Sequence, residues 1–139
     1  MDKAVLVNEQ IDAGREFAEK FNEYQQVDIV IWLNPAESSE WELYIASPAL
    51  NDSNFDVAYG EVLRLLGSGK QMWLDAFQVK LLSSNDKLAM KAKEIRDRHP
   101  APIATRYNGT SMAGIPIGSA YIYPSLKSVS YTHLRAHET

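Results

Sequence analysis

The segment Val27-Asp28-Ile29-Val30-Ile31-Trp32-Leu33 is apolar at every position but one, and β-branched at Val27, Ile29, Val30 and Ile31. Side chains of a strand alternate between its two faces, so an apolar run without alternation reads as a strand covered on both sides. Any fold this chain adopts has to supply that cover. The chain has 139 residues, 45% of them hydrophobic and 23% charged. That is the composition of a globular protein and the length of one domain. A chain of this size buries roughly two-thirds of its unfolded surface and can hold a core without metal or cross-links. There is no Cys. A disulfide scaffold, a zinc–thiolate site, an iron–sulfur cluster and a cysteine nucleophile are therefore excluded.

The remaining patterns predict what packs on that strand. Gly14, Phe17, Ala18, Phe21 and Tyr24 share one face of a helix over Glu9–Tyr24, with Asn8 placed to cap it. Gly14 lowers helix propensity, which marks a close approach to a strand. After the loop Asn34–Ser39, a second strand spans Glu40–Ser47. Its Trp41, Leu43 and Ile45 alternate with Glu40, Glu42 and Tyr44, and the short connection favours an antiparallel hairpin. Ser53-Asn54-Phe55-Asp56 has capping-box form and opens a helix with Phe55, Ala58, Tyr59, Val62, Leu65 and Leu66 inward. Gly67-Ser68-Gly69 stops it.

A third strand is predicted over Asp75–Leu82, with Phe77, Val79 and Leu81 inward. Ser83-Ser84-Asn85-Asp86 caps a third helix that runs to Arg98, with Leu88, Ala92 and Ile95 inward; Pro100 and Pro102 forbid its continuation. Ile103–Tyr107 and Ser119–Tyr123 are the last strands, with an Asn108-Gly109 turn signal between them. The order is α-β-β-α-β-α-β-β. It predicts one α+β domain over residues 1–128: a single mixed, largely antiparallel sheet of about five strands with three packed helices. Strands joined through the second and third helices are expected as parallel neighbours.

Motifs that carry chemistry are few. Asp52 with Asp56, and Glu40 with Glu42, are paired acids, read as helix-start charges and a solvated strand face. Gly67-Ser68-Gly69-Lys70 follows a helix rather than a strand, the wrong context for a phosphate loop. No cofactor and no metal site is expected. No apolar run approaches the roughly 18 residues of a membrane span, and Ala4-Val5-Leu6-Val7 is too short for a signal core. The expectation is a cytoplasmic protein with no membrane contact.

Charge and aromatics supply the remaining candidates. Residues 1–61 carry 13 acids and 3 bases, whereas residues 62–128 carry 4 acids and 10 bases. The third helix holds Lys87, Lys91, Lys93, Arg96 and Arg98, and its Lys87, Lys91 and Arg98 are the candidates for nucleic acid or an acidic partner. Its Asp86, Glu94 and Asp97, with the acidic first half, point instead to a solvated face balanced within the fold. Tyr44, Tyr59, Arg106 and Tyr107 are the candidate binding residues, a polar-aromatic patch if one sheet face is open. The plainer expectation is a sheet face covered by helices.

Two stretches resemble known sequences. Trp41-Glu42-Leu43-Tyr44-Ile45-Ala46-Ser47-Pro48, then Ala58-Tyr59, then Tyr121-Ile122-Tyr123, resemble a group of small uncharacterised bacterial proteins over residues 8–124. The shared motifs are a strand, a proline stop and a helix face, so the resemblance implies a fold and no site. Residues 129–139, Val-Ser-Tyr-Thr-His-Leu-Arg-Ala-His-Glu-Thr, resemble an in-frame translation of a transposase-type sequencing adapter. That resemblance implies a gene read off a short environmental DNA fragment, a native C-terminus lost, and a disordered tail outside the fold. His133 and His137 are then no metal pair, and His99 is the one histidine left. It follows Ile95 by one helical turn, where a capping or packing role is ordinary.

The reading these observations support is a non-catalytic module that binds another macromolecule, an unidentified protein partner, or a second copy of itself. One alternative is a small enzyme assembled from His99, Arg106, Tyr59 and Tyr44. Another is nucleic-acid contact through the third helix.

Overall fold

The computed structural model describes residues 6–35, 40–67, 73–98, 105–107, 111–112, 115–124 and 126. In chain order these form α1 (Asn8–Tyr24), β1 (Ile29–Pro35), β2 (Glu42–Ser47), α2 (Phe55–Gly67), a 3-10 turn (Ala76–Gln78) and β3 (Val79–Ser83). Then follow α3 (Lys87–Asp97), β4 (Thr105–Tyr107), β5 (Ser111–Met112) and β6 (Ile115–Ile122). His99, the Asn108-Gly109 turn and the tail 129–139 lie outside the described residues, and so does the Tyr107 side chain.

Among the described residues the strand order is β3-β2-β1-β6-β4, with β5 off this path and paired to β6. β2 and β3 run parallel, joined through α2; the other pairs are antiparallel. This is the expected α+β fold: one mixed, largely antiparallel sheet with three helices. The unbroken apolar run lies at its centre. Val30 and Trp32 of β1 face a core shared with Phe17 and Phe21 of α1 and Ala58 and Val62 of α2. Ile29, Ile31 and Leu33 face a second core built with Leu88, Ala89, Ala92 and Ile95 of α3. Burying both faces of one strand thus fixes the layering: α1 and α2 on one side, α3 on the other.

Helix α1 approaches the sheet closely at Gly14. A Cβ there would lie 2.5 Å from Tyr123 Oη and 2.8 Å from Trp32 Nε1. These two atoms are fixed by a buried relay: Trp32 Nε1–H donates to Tyr123 Oη at 2.9 Å, and that hydroxyl donates to the Ile11 carbonyl at 2.6 Å. The relay ties α1 to β1 through the residue that follows β6. Gly14 therefore marks the close packing its low propensity suggests.

Several local expectations are corrected. Val7, not Asn8, caps α1, and the Gln10 side chain accepts the Val7 N–H at 3.3 Å. Ser53 does not close a box with Asp56; its hydroxyl turns back onto Asn51 Oδ1 at 2.6 Å. Asp75–Gln78 is not strand. The Gln78 side chain accepts the Asp75 N–H at 2.8 Å, Asp75 accepts the Phe77 N–H, and the segment closes into a turn. Phe77, expected inward, is 84% exposed. The helix expected to join parallel neighbours, α3, links β3 to β4 at opposite edges, because β6 takes the place beside β1. β6 also starts at Ile115, earlier than the expected Ser119. Asp86, by contrast, caps α3 as expected, accepting the Leu88 N–H at 2.9 Å.

Chemical denaturation checks the close approach. Gly14→Ala overpacks a rigid site and is expected to cost about 1–3 kcal/mol. Tyr123→Phe leaves the Trp32 N–H buried without its acceptor and is expected to cost about 1–3 kcal/mol. Gly60→Ala, where nothing lies within 4 Å of the new Cβ, should instead stabilise by up to about 1 kcal/mol through helix propensity.

Candidate functional site

Strand register decides which candidate residues can meet. Trp32 pairs with Leu43 on one side and with Tyr121 on the other, and Arg106 pairs with Tyr121. Arg106 therefore lies on the α1–α2 side of the sheet. Its guanidinium sits 4.9 Å from the centre of the Tyr121 ring, a cation–π contact. Tyr121 meets Tyr123 edge-on at 5.2 Å. Tyr44, one residue past Leu43, belongs to the opposite, α3 side and packs against that core. It is also three strand spacings from β4, roughly 14 Å. The two residues cannot share a small-molecule site.

Tyr44 is half-buried beside Lys80, its register partner on β3. Its hydroxyl donates to Glu42 Oε1 at 2.9 Å. Burial first, and then the bonded carboxylate of Glu42, push the phenol well above its usual value, so Tyr44 stays a neutral donor. Tyr59 is committed elsewhere. From the inner face of α2 its hydroxyl accepts the Leu81 N–H of β3 at 2.8 Å. Tyr59 also lies close enough to Tyr44 to raise its phenol further, but its own hydroxyl is engaged by Leu81, and Arg106 lies apart from both at the other edge of the sheet. His99, the fourth member of the enzyme alternative, lies outside the described residues.

The basic helix is balanced locally. Lys91 and Arg98 both reach Glu94, at 3.7 Å and 3.0 Å, and Lys93 reaches Asp28 at 3.5 Å. Arg96 is buried and donates to the Asp28 carbonyl at 2.7 Å. Lys87 is exposed. Exposed pairs of this kind contribute little to stability. They do mean that a phosphate approaching Lys91 or Arg98 has to displace Glu94. Asp28 comes from the acidic half, so part of the charge split is met within the fold.

Two surface features were missed in the sequence. A shallow groove of about 510 Å3 between α1 and α2 is lined by Lys20, Glu23, Tyr24, Glu61, Arg64 and Leu65. Arg64 pairs with Glu61 there, and its donated hydrogen bond holds the Glu61 carboxyl below the usual range. Charges of both signs line it, so it shows no preference for a charged ligand. The other feature surrounds the start of β3. Phe77, Leu63 and Trp73 are 84%, 60% and 44% exposed. The spacing Asp75-x-x-Gln78 is the signal that places Phe77 outward, since a capping box turns the backbone where alternation predicts a strand.

Among the described residues no group of three or more His, Asp or Glu is placed to hold a metal ion. No helix among them is long and apolar enough to cross a membrane. In comparisons with protein-family models, curated proteins and solved structures, nothing matches the chain.

The tyrosine environments predict the alkaline limit of stability. Burial also raises the Tyr123 phenol, only partly offset by the Trp32 hydrogen bond. With folded values above the unfolded value of about 10, the unfolded chain releases these protons first. Their contribution is therefore fully present below about pH 10 and lost as pH rises from there. Denaturation between pH 8 and 12 should show stability falling above about pH 10, with a shallower fall in Tyr44→Phe. An unchanged slope in that variant would remove Tyr44 from the account.

Proposed function

We propose that this chain is a non-catalytic binding module that engages a protein surface, either another protein or a second copy, through the flank of α2 and the start of β3. The observation that carries this reading is the exposure of Leu63 on α2 and of Trp73 and Phe77 on the segment that leads into β3. Leu63 stands one helical turn beyond Tyr59, on the side of α2 that reaches β3. Trp73 and Phe77 bracket the Asp75 cap of the turn that leads into β3. Phe77, held outward by the hydrogen-bonded turn, is pre-organised for contact. Exposed aromatic and apolar side chains of this kind are the ones enriched at protein interfaces. The distance of Arg106 from Tyr44 and Tyr59, whose hydroxyls are already bonded to Glu42 and Leu81, favours this reading over an enzyme, and the pairing of Lys91 and Arg98 with Glu94 favours it over nucleic acid.

Phe77→Ser tests it. The site is exposed, so stability should stay within about 0.5 kcal/mol of wild type. Light scattering over a concentration series, together with affinity capture, should show association in wild type that the variant loses. A wild-type protein that is monomeric throughout and captures nothing, or association that survives Phe77→Ser, contradicts the proposal.

A further inference from the structure

β3 is an edge strand, and an edge strand offers its outward amides to any extended chain that can pair with them. Two of those amides are already taken. The Val79 N–H donates to the Ala76 carbonyl at the end of the 3-10 turn. The Leu81 N–H donates to Tyr59 Oη at 2.8 Å, across 22 residues of sequence. Tyr59 is placed for this by its neighbours: it stacks on Phe55 at 6.4 Å and packs against the α1–α2 core. Its ring stands beside the strand and its hydroxyl covers the amide.

We propose that Tyr59 is an edge guard, a side chain that closes β3 against strand addition and so keeps the sheet from growing onto a second copy of this chain. The strand needs a guard. Val79 and Leu81 are buried apolar residues, β3 lies beside Leu43, Ile45 and Ala46 of β2, which are buried too, and Lys80 is the only charge along its length. Charged residues, bulges or prolines usually protect such an edge; here Lys80 is joined by a tyrosine from the preceding crossover helix, which covers the Leu81 amide. The 3-10 turn completes the closure at the start of the strand. A partner at this edge must then rely largely on side chains, because the Val79 and Leu81 amides that a pairing strand would use are occupied.

Tyr59→Phe removes the hydroxyl and keeps the ring; Tyr59→Ala removes both. By amide exchange, Leu81 in Tyr59→Phe should exchange about tenfold faster, the loss of one hydrogen bond. Val79, held by Ala76, should not change. Light scattering should show a mass that rises with concentration above wild type, modestly in the Phe variant and more in the Ala variant. Near-ultraviolet dichroism should stay native in Tyr59→Phe. The proposal is overturned if Leu81 exchange in Tyr59→Phe equals wild type, or if the folded variant keeps wild-type mass at every concentration. It is equally overturned if the mass rises only as the native dichroism is lost, since that association would come from unfolding.

Discussion

Tyr123 Oη occupies the space where any residue but glycine at position 14 would carry its Cβ. The rest of the layer depends on that contact. Because α1 comes this close, the Trp32 indole N–H and the Ile11 carbonyl can share one phenol between them. A large aromatic side chain can then be wholly buried at the centre of the sheet without an unsatisfied donor. A bulkier residue at position 14 would hold α1 off, break the relay and open the core at Phe17 and Phe21, whose side chains are at most 2% exposed.

The relay also explains how distant parts of the chain are brought together. β1 is made early and β6 late, yet Trp32 and Tyr121 are register partners and Tyr123 reaches back to α1. β6 thus sits between β1 and β4, and the last strands are inserted rather than appended. On the other face α3 is fastened at its end by Arg96, whose guanidinium donates to the Asp28 carbonyl just before β1. Both helical layers are therefore pinned to the same central strand by a polar contact at the margin of an apolar one.

The central strand was legible because an unbroken apolar run has one simple explanation, burial on both faces. The inward residues of α1, α2 and α3 were legible from helical spacing, and Gly14 from its low propensity. Phe77 was misread because it falls in phase with Val79 and Leu81. Two side chains, Asp75 and Gln78, override that alternation. The β1–β6 pairing had no local signal, since register between distant strands is set by the whole core. The candidate site suffered from this most: Tyr44 and Arg106 look alike in sequence, but one residue of register puts them on opposite faces. That Tyr59 needs a partner for its hydroxyl could be anticipated; that the partner is a backbone amide of β3 could not.

A double-mutant cycle between positions 14 and 123 tests the central claim most directly. If the steric meeting of Gly14 and the Tyr123 hydroxyl sets the approach of α1, removing the hydroxyl relieves part of the strain of an added Cβ. Gly14→Ala should then cost at least about 1 kcal/mol less in the Tyr123→Phe background than in wild type, an interaction energy of the size expected for residues in contact. Penalties that simply add, within about 0.5 kcal/mol, would show that the two positions are independent and would contradict the account.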